Sequence, residues 1–129
     1  MERMYQAHKP VAEFFIVYLR EAHAAGSYWP ADYAERLGIA DHSSLDDRCN
    51  VAERLYSEKA LTIPCLIDDL DNTAARAYKA WPDRLYIIGR DGRIAVAGGR
   101  GPWGFDPAIE KARVWLADYE NATHESGGR

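Results

Sequence analysis

Residues 13–19, with the sequence EFFIVYL, decide the predicted fold, because β-branched and aromatic side chains follow one another there almost without interruption. Such a run is typical of a strand that is buried on both faces of a parallel sheet. Residues 62–67 (TIPCLI) form a second short strand of the same kind. Between the two, apolar side chains recur at helical spacing from Leu45 onward, and Ser43 or Ser44 can cap that helix. The sequence therefore predicts two parallel strands joined by a helical crossover.

The second half of the chain predicts a hairpin and a closing helix. Residues 84–88 (RLYII) and 93–97 (RIAVA) flank a short loop that contains Asp-Gly, which is a strong hairpin signal. Asp106 and Pro107 suit the cap and first turn of a helix that runs to about residue 119. Shorter helical patterns cover residues 1–9, residues 31–37 and the stretch from Asp69 or Asp71 to Pro82. Together these elements predict an α/β sandwich of the thioredoxin kind.

Length and composition place the chain among ordinary globular domains. With 129 residues, 47% of them hydrophobic and 28% charged, it is predicted to form one domain over residues 1–120, followed by a disordered tail over 121–129. A net charge of −4 argues against a nucleic-acid or anionic membrane surface, which needs a basic field. The sequence predicts neither a membrane span, which takes an apolar run of about 18 residues or more, nor a secretory signal.

The two cysteines predict a reducing compartment. Cys49 and Cys65 are too few for a disulfide framework, so the cytoplasm is the expected location. Cys49 falls on the apolar face of a helix and Cys65 in a strand, where buried thiols react poorly. Because no histidines or cysteines stand at metal-ligand spacing, the sequence predicts no metal and no bound cofactor.

Four segments carry a resemblance to one protein family. Residues 18–23 (YLREAH) follow the first strand and look like the Tyr-x-x-Glu-Ala-His pattern of the iodothyronine deiodinases. Residues 42–48 (HSSLDDR) resemble the next histidine region of that family, and residues 68–88 fit it without a gap. Residues 99–103 (GRGPW) match the loop that follows its hairpin. Over about residues 8–119, the chain therefore resembles a bacterial-type relative of these thioredoxin-fold selenoenzymes.

The resemblance implies an oxidoreductase that removes halide from an aromatic substrate such as an iodothyronine or a halophenol, or that reduces a related peroxide or disulfide. In the family the nucleophile is a selenocysteine or cysteine, on a loop after a strand that precedes the first helix. That strand is central in a thioredoxin-like sheet, and this sequence begins inside the helix that follows it. We therefore expect an N-terminally truncated domain whose strand and nucleophile are encoded upstream of Met1. The alternative is a complete chain that re-pairs its strands or forms a homodimer.

The resemblance assigns catalytic roles to Tyr18, Glu21, His23 and His42. A histidine that titrates near neutrality and is held by a carboxylate can supply the proton for the carbon that loses its halogen. From the residues alone, Glu21 and His23 are a solvated pair at a strand end, and His42 is a surface or capping histidine near a helix N-terminus. The assignment of these roles therefore depends on the resemblance.

Substrate binding is predicted for three loop residues. Arg100 lies in the glycine-rich segment GGRGPWG, and the matching arginine of the family is implicated in holding the carboxylate of the substrate. Trp29 and Trp103 can stack on an aromatic ligand. The expected partners are a small aromatic or peroxide substrate and an external thiol reductant, with no nucleic acid and no membrane.

Other classes of function stay open on the sequence. The chain can be a catalytically inactive binding module that keeps the ligand-binding residues and has no nucleophile. A Ser–His–Asp hydrolase is disfavoured, because Ser43 and Ser44 are interpreted as helix caps and no GxSxG motif is present. If the chain is complete, Cys65 is the one candidate to replace the nucleophile.

Overall fold

The structure is mixed α/β, with short strands and helices of very different length. The computed structural model describes residues 1–126. In chain order its elements are α1 (Glu2–His8), β1 (Ile16–Tyr18), α2 (Asp32–Leu37), α3 (Leu45–Lys59), β2 (Cys65–Ile67), α4 (Thr73–Ala77), β3 (Tyr86–Ile88), β4 (Ile94–Ala97) and α5 (Phe105–Ser126). These helices and small sheets are consistent with the predicted thioredoxin-like fold.

Both predicted strand pairs are present. β1 and β2 are parallel, with Val17 opposite Leu66, and β3 and β4 are antiparallel. Gly92 closes the hairpin turn, where its φ of 75° lies in the left-handed region that glycine adopts at little cost. The two pairs form two separate two-stranded sheets.

The chain divides into two compact units by its internal contacts. Phe15–Pro82 holds β1, α2, α3, β2 and α4, and is called the parallel unit below. Met1–Phe14 and the described residues from Asp83 onward hold α1, β3, β4 and α5, and are called the hairpin unit. Each unit has buried apolar side chains of its own.

The hairpin unit buries one face of α5. Its core cluster consists of Met4, Leu85, Ala108, Ala112 and Leu116. The end of the hairpin lies close to the alanines on this face of α5. A Cβ added to Gly98 would lie only 2.6 Å from the Cβ of Ala108, which is too close. Gly98 is therefore required by packing at the end of β4.

The parallel unit buries charge together with apolar side chains. Ile39, Ala52 and Ile63 are among its buried apolar residues, and α3 packs against β2. Arg48 and Asp68 are buried as well, with exposed fractions of only 2% and 4%. Charged side chains are rarely buried to this degree without hydrogen-bond partners.

The strands of the parallel unit are not buried on both faces, which corrects the expectation from their apolar sequences. Phe15, Val17 and Leu66 are 54%, 40% and 50% exposed. Successive side chains of a strand point to opposite faces, and Ile16 and Tyr18 are half-buried on the other face. One side of this two-stranded sheet is covered, so apolar composition alone overstated its burial.

The closing helix is longer than the sequence predicts. α5 continues to Ser126, past the predicted end at about residue 119 and into the segment predicted as a tail, and residues 127–129 lie outside the described part. The physical reason is that no glycine or proline follows Pro107 until Gly127, so nothing in the sequence stops the helix. Within the described residues, no helix combines the length and apolar character of a membrane span.

Candidate active site

The end of β1 places a carboxylate between two tyrosines. The hydroxyl of Tyr18, the last residue of the strand, donates to Oε1 of Glu21. The hydroxyl of Tyr33, from α2, donates to Oε2 of the same carboxylate over 3.3 Å. Both oxygens of Glu21 therefore accept a hydrogen bond from a phenol.

This arrangement keeps the two phenols protonated. Burial, followed by the hydrogen bond and charge of Glu21, raises the pKa of Tyr18 far above its usual range. Burial and the Glu21 carboxylate also raise the pKa of Tyr33. At neutral pH both hydroxyls thus remain hydrogen-bond donors.

His42 lies beside the same cluster. The centres of the Tyr18 and His42 rings are 5.8 Å apart, with the planes tilted by 44°. Nδ1 of His42 accepts a hydrogen bond from Nε of Arg48 over 3.2 Å. Nε2 is shielded from solvent and has no hydrogen-bond partner among the described residues. Burial lowers the pKa of His42, with Arg48 contributing to this shift against the opposing charge of Glu21.

Arg48 joins His42 to the loop that follows β2. Its Nη1 donates to the carbonyl oxygens of Asp68 and Asp69, over 3.0 and 2.6 Å. Nη2 lies 3.4 Å from Oδ1 of Asn72. All three guanidinium nitrogens therefore have hydrogen-bond partners, and Nε donates to Nδ1 of the His42 ring.

Asp68 completes the connection between the strands and α4. Its carboxylate accepts from the backbone N–H groups of Asp69, Ala74 and Ala75, over 3.0, 2.8 and 2.9 Å. Its own N–H donates to the carbonyl of Tyr18 over 3.0 Å. The carboxyl ends of β1 and β2 are therefore tied together next to the candidate catalytic residues, where parallel sheets commonly carry their sites.

Sequence reasoning missed Arg48 and Asp68 as parts of this site. A signal was present for each. Arg48 lies three residues after Leu45 and four before Ala52, on the face of α3 that is otherwise apolar, and Asp68 directly follows a strand. A charged residue on an apolar helix face is an indication of a buried polar network.

His23 is held by a backbone carbonyl, whereas the sequence predicts a histidine held by a carboxylate. Its Nδ1 lies 2.8 Å from the carbonyl oxygen of Trp29. Because a carbonyl only accepts, Nδ1 carries a proton, and Nε2 faces an exposed environment. Within the described residues no hydrogen bond joins His23 to Glu21. The indole of Trp29 is 75% exposed, and this residue orients His23 through its backbone.

Arg100 and Trp103 belong to the hairpin unit, in the loop between β4 and α5. Arg100 is exposed, and Trp103 is 88% exposed. The glycines of this loop serve internal packing, because a Cβ on Gly101 would lie 1.5 Å from the carboxylate of Asp83. Their predicted purpose, a close approach of backbone to ligand, stays a prediction.

The cysteines stand apart from the hydrogen bonds of this site. Cys49 and Cys65 are both free and half-buried, which is less burial than the sequence predicts. Among the described residues, no group of three histidine, cysteine, aspartate or glutamate side chains could hold a metal ion. The cluster around Glu21 consists of proton donors and acceptors: two phenols, one carboxylate and the imidazole of His42.

The structure thus shows an α/β protein in which Tyr18, Tyr33, Glu21 and His42 lie together at the carboxyl end of a parallel strand. The family profile for iodothyronine deiodinase matches residues 1–120, and the chain belongs to this family. It is 34% identical over 123 residues to a thyroxine 5-deiodinase of Sparus aurata, which covers 93% of this chain and 43% of that protein. The thyroxine 5-deiodinase of Gallus gallus is 35% identical over 117 residues, covering 91% and 43%.

A third relative carries a different activity name. The type I iodothyronine deiodinase of Xenopus laevis is 39% identical over 97 residues, covering 75% of this chain and 36% of that protein. The chain therefore spans less than half the length of these relatives. The membership predicted from the four sequence segments is confirmed.

Proposed function

We propose that this chain supplies the acid–base part of a deiodinase-like oxidoreductase with a thiol or selenol nucleophile. The observation that carries the proposal is the Tyr18–Glu21 hydrogen bond beside His42, in a member of the deiodinase family. In the reaction an aromatic carbon–halogen bond is replaced by a carbon–hydrogen bond, and halide leaves. Two thiols of an external reductant supply the electrons and are oxidised to a disulfide.

The proton for carbon is assigned to His23. Its Nδ1–H is engaged by the Trp29 carbonyl, so Nε2 is the nitrogen that can carry and release a second proton. Glu21 provides an acceptor near the end of β1, and the two phenols hold its carboxylate in place. This division of roles uses only groups that the parallel unit itself contains.

The nucleophile is proposed to be encoded upstream of Met1, which fits a chain that spans 43% of the length of its thyroxine 5-deiodinase relatives. The substrate class is a halogenated phenol, with a peroxide or disulfide as the related alternative. Arg100, Trp103 and Trp29 are proposed to bind the substrate, since their side chains are exposed and suit a carboxylate and an aromatic ring.

The test begins with the in-frame DNA upstream of Met1, which should encode a strand followed by a loop with a TGA or cysteine codon. The extended protein is then assayed for halide release from an iodinated phenol with dithiothreitol as reductant. We expect release that depends on that codon and is strongly reduced by His23→Ala. Tyr28→Phe, at a fully exposed position in the same loop, is the control.

Each alternative has its own result. Unchanged halide release in His23→Ala would contradict the proton role of this histidine. An extended protein that binds the iodinated phenol in an Arg100-dependent manner, yet releases no halide, would favour the catalytically inactive binding module.

A further inference from the structure

Arg48 is a buried cation whose hydrogen-bond partners are all uncharged. Its side chain is 2% exposed, and its contacts are an imidazole nitrogen, two backbone carbonyls and a side-chain amide oxygen. Within residues 1–126 no carboxylate lies within ion-pair distance of it. Burying a guanidinium without a contacting carboxylate is costly, which points to a role for Arg48 beyond packing.

The direction of one hydrogen bond defines the state of His42. A guanidinium can donate and cannot accept, so Nδ1 of His42 must be the unprotonated, accepting nitrogen. In the neutral ring the proton then sits on Nε2. Tautomers are ordinarily ambiguous from heavy atoms alone, and here the fixed partner resolves the ambiguity.

The same contact opposes protonation of the ring. An imidazolium would carry a second proton on Nδ1 and point it at the guanidinium, which has no lone pair to offer. Burial and Arg48 disfavour the charged ring, while the carboxylates of Glu21, Asp41 and Asp47 favour it. The Tyr18 ring packs beside it without a charge of its own. On balance the pKa of His42 is lowered.

We propose that Arg48 is a positioning residue that locks His42 as a neutral Nε2–H hydrogen-bond donor. The shielded, unpartnered Nε2 is then a donor held ready for an acceptor atom. His42 would thus orient and polarise such an acceptor without exchanging a proton, whereas His23 moves the proton. The part of this inference that concerns the reaction rests on the proposed function, and the state of the ring does not.

The test is a long-range ¹H–¹⁵N correlation spectrum of the histidine rings, recorded on the 129-residue chain as a function of pH. The His42 signals are identified by their loss in His42→Gln. We expect wild type to show only the Nε2–H tautomer at pH 7. In Arg48→Met we expect a measurable fraction of Nδ1–H tautomer and a titration midpoint raised by about one pH unit, because a contacting positive charge is gone.

A matched control and a second variant keep the test decisive. Arg54→Met removes an exposed guanidinium from the same helix, where Nη2 reaches only the carbonyl of Leu37 at 3.3 Å, and should leave the His42 signals unchanged. If Arg48→Met does not fold, Arg48→Gln removes the charge and keeps a donor for the loop carbonyls. It should raise the midpoint in the same direction.

Two results would overturn the proposal. One is a wild-type His42 that carries its proton on Nδ1, or that is already an imidazolium at pH 7. The other is a folded Arg48→Met or Arg48→Gln protein whose His42 tautomer and midpoint equal those of wild type. Neither measurement involves turnover, so a failure of halide release in the extended protein would leave this inference standing.

Discussion

At the scale of single residues, two tyrosines hold Glu21 unequally. The Tyr18 hydroxyl is part-buried and in close contact with the carboxylate, whereas the Tyr33 hydroxyl is 3.3 Å away on a side chain that is 41% exposed. A hydrogen bond to a charged group contributes roughly 1.5–3 kcal/mol. We therefore expect Tyr18→Phe to slow halide release by the extended protein at least about tenfold if that bond supports the transition state.

Tyr33→Phe is the matched control for Tyr18→Phe, because it removes the weaker donor to the same carboxylate. Its effect on halide release should be clearly smaller. Equal losses in the two variants would contradict the view that Tyr18 is the main partner of Glu21. Urea unfolding of both variants separates a loss of activity from a loss of stability.

His42 makes a contribution to stability that depends on pH. Its pKa is lowered in the folded protein because the ring is buried, so the unfolded chain takes up this proton first. The free energy of unfolding should therefore be unaffected by His42 above the ordinary histidine pKa of about 6.5 and should fall as the pH drops below it. Urea titrations at pH 7.5 and 5.5 measure this fall.

His42→Gln removes the titrating ring and should flatten the loss of stability between those two pH values. His23→Gln is the matched control, since that ring is exposed. If His42→Gln and His23→Gln leave the same pH dependence, the buried state of His42 is not what destabilises the protein at low pH.

At the scale of elements, α4 depends on a carboxylate outside the helix. It has five residues, and its N-cap Asn72 makes no side-chain cap hydrogen bond. Asp68 instead accepts from the N–H groups of Ala74 and Ala75. Asp68→Asn removes the charge and replaces one acceptor by a donor, so it should lower the free energy of unfolding by roughly 1.5–3 kcal/mol.

Asp71→Asn is the control for Asp68→Asn, because Asp71 is exposed and precedes the same helix. Urea unfolding compares the two. A loss in Asp68→Asn no larger than the loss in Asp71→Asn would mean that water replaces the buried carboxylate without cost.

The elements show where sequence patterns suffice and where they do not. Ser44, one of the two serines predicted as the cap, caps α3 by accepting from the N–H of Asp47, because a helix N-cap is a local interaction. β1 has three residues, whereas the run at residues 13–19 has seven, because the hydrogen-bonded pairing with β2 covers only three positions. Pro64, which has no N–H to donate, stands directly before β2.

The candidate site follows the same rule: its local pattern could be predicted from the sequence, and its long-range contacts could not. Tyr18, Glu21 and His42 were predicted from their resemblance to a known family pattern, and the structure brings these three side chains together. The link through Arg48 to Asp68 joins residues that are 20 positions apart. Such a contact depends on how α3 packs against β2, which no local pattern of residues specifies.

At the scale of the whole molecule, the hairpin unit is assembled from both ends of the chain. Nδ1 of His8 in α1 lies 2.8 Å from Oε1 of Glu120 in α5, although 112 positions separate them. The two side chains are 15% and 29% exposed. Because a carboxylate only accepts, His8 donates to it. This contact, the buried Met4 and the edge-on packing of Tyr5 against Phe14 all help to hold α1 in place.

We expect His8→Ala to loosen α1 without unfolding the unit, because the core cluster around Met4 remains. Hydrogen exchange of the α1 amides should become faster, while that of β3 and β4 stays at the wild-type rate. Met4→Ala should instead lower the free energy of unfolding of the unit, by about 2 kcal/mol or more, since it removes a buried side chain. Arg3→Ala, at an exposed position of α1, is the control. If α1 exchanges equally slowly in His8→Ala and Arg3→Ala, apolar packing anchors the N-terminal helix and the His8–Glu120 contact does not.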